Sequence, residues 1–142
     1  MASVDRILGA GNGDHDGVQA PFTGRWREGP ESAAIRIVIF SDYQCPDCRR
    51  IENQVQQVLR EQKDVSFSAK HFPMCTSCNA IAPNLHPNAC WAARLAEAAG
   101  ILGGEASFRA MHRWLFEVEG RFENAGQIAP GAAAAGVDLD EL

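Results

Sequence analysis

The chain has 142 residues, a net charge of −5, and 46% apolar and 22% charged residues. That length suits one domain with a sizeable core, and the composition is ordinary for a soluble globular protein. The basic residues are scattered, so no basic face marks a nucleic-acid partner. The longest uncharged stretch, Met74 to Ala93, carries Asn79, Asn84, His86, Asn88 and two prolines, a composition unsuited to a bilayer span.

In chain order, Met1 to about Pro30 is rich in Gly, Asp and polar residues, with turn signals at Gly11-Asn12-Gly13-Asp14 and Glu28-Gly29-Pro30. Residues 1–20 hold no apolar segment of secretory type. These features predict a flexible leader over 1–30, in which Trp26 covers an edge, and a domain over 31–142. Ile35 to Phe40 is a β-branched, nearly all-apolar run, which predicts a strand buried on both faces at a central sheet position. Ile51, Val55, Val58 and Leu59 then recur at helical spacing, with Arg49, Arg50, Glu52 and Gln56 on the opposite side. Val65, Phe67 and Ala69 alternate with Ser66, Ser68 and Lys70, which predicts a second strand. Strand, helix and strand over 31–73 make a crossover unit with a parallel pair.

The remainder, 74–142, reads as a loop followed by helices. Met74 to Pro87 has no period. Ala89 to Ala99 is an alanine-rich helix with Gly100 at its C′ position. Glu105 to Glu117 is a further helix with Phe108, Met111, His112 and Leu115 on one face. His112 there reads as core, and Trp91 and Trp114 as packing residues. Ala125 to Ala135 is helical in composition, with a break expected at Pro130-Gly131.

Four of the five cysteines fall in two Cys-x-x-Cys pairs, Cys45/Cys48 and Cys75/Cys78, and Cys90 is the fifth. Cys45 stands between the first strand and the amphipathic helix. Unpaired backbone N–H groups and the dipole at a helix N-terminus favour an anion, and the thiolate is the nucleophile of disulfide exchange. Pro46 fits the first turn. Cys48, three residues on, shares the face of Cys45 and can resolve a mixed disulfide. Asp47 opposes thiolate formation, and Arg49 and Arg50 favour it. A Cys-x-x-Cys pair alone is also compatible with half a zinc site, and the strand–turn–helix context favours the redox reading. Asp42 and Tyr43 either shape the turn or belong to a solvated loop, and His71 reads as a satisfied strand-end histidine.

The segment Ile37 to Cys48 resembles the active-site segment of DsbA-like thiol–disulfide oxidoreductases. His71-Phe72-Pro73 resembles the end of their next strand. His86-Pro87-Asn88-Ala89-Cys90 and the later Met111-His112 with Leu115-Phe116 resemble their inserted helical subdomain. The resemblance covers about residue 30 to residue 142. It implies an α/β thioredoxin-like fold with a helical insertion, Cys45 as nucleophile and Cys48 as resolving cysteine. It also implies protein substrates with thiols or disulfides, a membrane quinone-linked redox partner, an extracytoplasmic or periplasmic setting, and no cofactor beyond the redox-active disulfide. Family members continue into two more strands, a cis-proline loop and a last helix. This chain stops at Leu142, so an incomplete sheet and a C-terminally truncated domain are expected.

A subset of the family carries a second, structural disulfide, which the resemblance puts at Cys78–Cys90 with Cys75 as the odd thiol. Cys75–Cys78 and Cys75–Cys90 are the alternatives. Cys75, Cys78, His86 and Cys90 also offer a four-ligand zinc set, and buried free cysteines are the plainest reading. The two function classes in play are a protein-disulfide oxidoreductase and a truncated, non-catalytic thioredoxin-like binding module with a structural zinc.

Overall fold

The computed structural model describes residues 24–142. The turn signals at Gly11 to Asp14 and the absence of a secretory segment in residues 1–20 lie outside the described residues. Among the described residues, three strands, three helices and a closing 3-10 turn follow one another: β1 Arg27–Glu28, β2 Ile35–Ser41, α1 Pro46–Glu61, β3 Val65–His71, α2 Ala89–Glu117, α3 Ala125–Ala135 and the turn Leu139–Glu141. No helix among the described residues is long and apolar enough to cross a membrane.

The sheet has the order β1-β3-β2. β2 and β3 run parallel, with Ile35 opposite Val65 and Ser41 opposite His71. β1 runs antiparallel to β3, with Arg27 opposite Ser68. Two expectations change here. First, the leader is shorter than residues 1–30, because Arg27 and Glu28 belong to the sheet and Trp26 belongs to the core. The Trp26 ring stacks on Phe108 at 5.5 Å, and its indole N–H donates to Glu97 Oε2 at 3.0 Å. Second, β3 and not β2 is the central strand. Val65 to Ala69 are all buried, the serines included, whereas Ile35 and Phe40 of β2 are 58% and 51% exposed. Apolar composition alone misjudged the order because β2 borders only β3 among the described strands.

The main core joins the sheet to the helices: Tyr43, Val55, Phe67, Ala69, Leu95, Phe108, Met111, Leu115 and Phe116 pack together. Ala92, Ala96 and Ala99 are the small side of α2 and let it lie close against this cluster. The two helices expected over 89–99 and 105–117 are both present and meet at a kink at Gly104, whose φ is 81°; the first runs on through Gly100 instead of ending there. Helical backbone runs through Gly100, and the Trp26 ring packs into the space that its missing side chain leaves: a Cβ there would meet the indole at 2.5 Å. The break expected at Pro130-Gly131 does not occur, and α3 is continuous with Pro130 inside. Pro130 forfeits only the bond to the Gly126 carbonyl. Burial of Gly131, Ala132 and Ala135 and an Asn124 cap hold the helix together. Trp91 is not a packing residue; it is 58% exposed, with the Arg94 guanidinium over its ring at 5.0 Å.

Candidate active site

β2 delivers the chain to a four-residue turn, Asp42 to Cys45, and α1 carries it away. Asp42 organises this turn from inside the protein, being only 3% exposed. Its carboxylate accepts from the Gln44 N–H at 2.8 Å and the Met74 N–H at 2.7 Å. It also accepts from His86 Nδ1 at 2.8 Å, so Nδ1 carries a proton. The Cys45 N–H donates to the Asp42 carbonyl at 3.1 Å. Asp42 and Tyr43 are therefore interior residues, and the solvated-loop alternative for them falls. A carboxylate three residues ahead of the first sulfur ties together the turn, the segment after β3 and the approach to α2.

Cys45 is the N-cap of α1, with extended backbone and Pro46 in the first turn. The Cys48 N–H points at Cys45 Sγ at 3.5 Å, so the first sulfur receives an otherwise orphaned donor of the helix start. Both thiols are free and half-buried. Cys48 differs from its partner in its surroundings. Burial, reinforced by the Cys45 sulfur, pushes its thiol up to about 11, while the Asp42 backbone N–H works in the opposite direction. The neighbouring charges are spent locally: Arg50 pairs with Asp47 on the surface, and Arg49 reaches Glu119 at 2.8 Å.

Two further ties hold the turn against the helical half. Gln44 Oε1 accepts from the Asn88 N–H at 2.8 Å, and Asn88 Nδ2 donates to the carbonyls of Gly120 and Phe122. Beneath the turn, Tyr43 O–H meets His112 Nδ1 at 2.7 Å. Burial first, and then Glu52 and Glu97, hold the phenol well above its ordinary value, so it donates and Nδ1 accepts. His112 Nε2 then carries the proton and faces Glu52 Oε1 at 3.2 Å. Glu52 is buried, not on the polar face its spacing suggested, and also accepts from Gln56 Nε2 at 3.0 Å. His112 is core as expected, but as part of a polar network between α1 and α2. His71, at the end of β3, is satisfied by Glu97 Oε1 at 3.0 Å. Burial works against the Glu97 charge, but His71 and the Trp26 indole overcome it and hold that carboxyl below its ordinary value.

Cys78 and Cys90 are joined, with Cα atoms 5.9 Å apart, and Cys75 is buried and free. The bond consumes two thiolates of the zinc set Cys75, Cys78, His86 and Cys90, and His86 turns its Nδ1 to Asp42. That four-ligand arrangement is therefore not formed. Gln44, Glu52 and Asn88 escaped the sequence as site residues, and of the two readings open for Asp42 the turn-shaping one fits. The signal for Asp42 was present in part, since Asp three positions ahead of a helix cap commonly closes a turn on its own backbone.

A family profile described as thioredoxin matches residues 23–141. The chain is 30% identical over 114 residues to Na(+)/H(+) antiporter NhaA 1 of Salinispora arenicola and 32% identical over 114 residues to NhaA 3 of Salinispora tropica. Each match takes in 80% of this chain but spans only 16% of the antiporter. Among solved structures, the thiol-disulfide exchange protein alpha-DsbA2 from Wolbachia pipientis superposes with a TM-score of 0.63 at 23% identity, over 82% of this chain and 55% of that one. Pseudomonas aeruginosa DsbA2 gives 0.59 at 21% identity, over 88% and 68%. A periplasmic thioredoxin-like protein from Salmonella enterica serovar Typhimurium gives 0.60 at 22% identity, over 80% and 58%. These structural likenesses carry the fold. With the family profile running through nearly the whole described chain, the protein belongs to the thioredoxin family, on a DsbA-like version of its fold.

Proposed function

We propose that the chain is a thiol–disulfide oxidoreductase working through Cys45 and Cys48 on disulfides or thiols of proteins. The observation that carries this reading is Cys45 at the N-cap of α1 with the Cys48 N–H directed at its sulfur. A helix start presents unpaired N–H donors to an anion, and the thiolate is the nucleophile of disulfide exchange. In the reducing direction, the Cys45 thiolate attacks one sulfur of a substrate disulfide. The substrate bond breaks, one substrate thiolate leaves, and Cys45 is held in a mixed disulfide. Cys48 gives up its proton and attacks Cys45 Sγ. The second substrate thiolate leaves, two electrons have passed to the substrate, and Cys45–Cys48 is oxidised. Oxidation of a substrate dithiol is the same sequence reversed.

The high Cys48 value supports this division of labour. Near neutral pH, Cys48 stays a thiol until the mixed disulfide is formed, so Cys45 is the sulfur that attacks first. An extracytoplasmic setting belongs to the same reading. A disulfide at Cys78–Cys90 fits an oxidising compartment, and the Salmonella neighbour is described as periplasmic. Reoxidation by a membrane quinone-linked partner is the corresponding proposal for electron disposal.

The test is insulin reduction and oxidation of a reduced model protein, followed by trapping. Cys45→Ser is expected to abolish both. Cys48→Ser is expected to accumulate a mixed disulfide through Cys45, visible as a mass adduct lost on reduction. A wild-type chain that catalyses neither reaction, with Cys45 alkylated no faster than a peptide thiol, overturns the reading. That result supports the second one, a non-catalytic binding module. The local similarity to a short stretch of two much longer antiporters favours such a module as the alternative.

A further inference from the structure

Three sulfurs lie outside the chemistry assigned above. Cys75 is free and 3% exposed, Cys90 is fully buried, and Cys78 is on the surface. Cys75, Ala89 and Cys90 form a small packing cluster of their own. Cys90 Sγ lies 3.4 Å from the Cys75 carbonyl oxygen. Cys75 Sγ lies 3.0 Å from Ser77 Oγ and 3.5 Å from the Pro87 carbonyl. The Cys78 and Asn79 N–H groups both turn back to the Cys75 carbonyl, at 3.4 and 3.1 Å. Cys75 and Cys78 thus share one tight turn that faces Cys90. A buried free thiol shares one small packing cluster with the buried cysteine of the disulfide, where the irregular segment meets the start of α2.

Exchange needs a thiolate, a disulfide sulfur within reach, and a leaving sulfur that can carry charge. The Ser77 hydroxyl holds the Cys75 thiol below its ordinary value against the opposing effect of burial. The two ends of the disulfide differ sharply as leaving groups. Cys78 would depart into water, whereas Cys90 would leave a charge inside the protein. That difference sets the direction of attack, onto Cys90 with Cys78 released.

We propose that Cys75, Cys78 and Cys90 are a second thiol–disulfide exchange centre. In it, buried Cys75 displaces Cys78 from Cys90 and puts a nucleophilic thiol on the surface, where it takes up small solvent-borne disulfides. In the internal step Cys75 gives up its proton, the Cys75–Cys90 bond forms as Cys78–Cys90 breaks, and Cys78 leaves as a thiolate. No electrons are gained or lost overall. In the external step the Cys78 thiolate attacks a low-molecular-weight disulfide, which is the oxidant. A mixed disulfide forms at Cys78 and one thiolate of the reagent leaves. The centre needs neither Cys45 nor Cys48, so it stands apart from the activity proposed above.

The experiment uses the full chain carrying Cys45→Ser and Cys48→Ser, folded and treated with cystamine. The reaction is quenched in acid and mapped by mass spectrometry after non-reducing digestion at low pH. The expected product carries cysteamine on Cys78 and a Cys75–Cys90 bond, and it forms faster as pH rises. Adding Cys75→Ser is expected to leave Cys78–Cys90 intact and unmodified. An adduct on Cys75 with Cys78–Cys90 intact overturns the inference. So does the absence of any adduct while a control peptide thiol is consumed. Because the parent variant alone gives a decisive map, the result survives even if the Cys75→Ser chain folds poorly.

Discussion

At the scale of single residues, the two thiols of the candidate site are told apart by where they sit. Cys45 holds the cap position and Cys48 the half-buried place behind it. The folded-state value of about 11 against an ordinary 9.0 makes Cys48 a stability sensor. Below pH 9 the thiol is protonated in folded and unfolded chains alike, so the contribution is fully present. As pH rises from 9 to 11 the unfolded chain releases the proton and the folded chain keeps it. Stability of the reduced protein is therefore expected to fall across that window and level off above it. Urea denaturation of the reduced protein at several pH values checks this. Cys48→Ala should lack that part of the slope, and an identical slope in the variant would refute the assignment.

At the scale of elements, α2 shows how one helix can be set by residues far from it in sequence. Gly100 lies within the helix where the Trp26 ring takes the space of a side chain, and Gly104 marks the kink because its φ of 81° suits glycine. In an open helix Gly→Ala gains about 1 kcal/mol. At position 100 the added methyl would sit 2.5 Å from the indole, and such overpacking costs about 1–3 kcal/mol. Gly100→Ala is therefore expected to lower stability and to change tryptophan fluorescence. Gly104→Ala has open space around it, yet is expected to cost about 1–3 kcal/mol through backbone strain alone, with fluorescence unchanged. Thermal denaturation with intrinsic fluorescence separates a packing fault from a backbone fault.

At the scale of the whole molecule, a few polar ties and one covalent link add to the core that joins the sheet half to the helical half. Asp42 binds the active-site turn to Met74 and His86, Gln44 reaches Asn88, and Tyr43 reaches His112. The Cys78–Cys90 bond closes the irregular segment onto the start of α2. In a chain carrying Cys45→Ser and Cys48→Ser, reducing that bond is expected to lower unfolding free energy by about 2–4 kcal/mol. Urea denaturation with and without reductant measures it. An unchanged midpoint would mean that the segment is held by packing and by the Asp42 bonds instead.

The sequence by itself determined the local features of this protein. Local chemistry sufficed for the strand from Ile35, the helix after Pro46, the alternating strand from Val65, and the cap position of Cys45. Each depends on side-chain period and on the conformational limits of Pro and of a helix start. Only the tertiary structure decided which strand is central, that Trp26 and β1 belong to the domain, that helix runs through Gly100, and that Glu52 is buried beside His112. Those outcomes depend on neighbours between 30 and 82 residues away. The helical period put Glu52 on the polar face because period measures angle around one helix, whereas in the fold Gln56 donates to its Oε1, His112 Nε2 lies 3.2 Å from the same oxygen, and Oε2 is left without a hydrogen-bond partner. The same reason covers Asp42. Its residue type announced a turn, but its three partners come from three separate segments. A buried carboxylate is set by whoever else can donate to it, and only the folded chain brings those donors together.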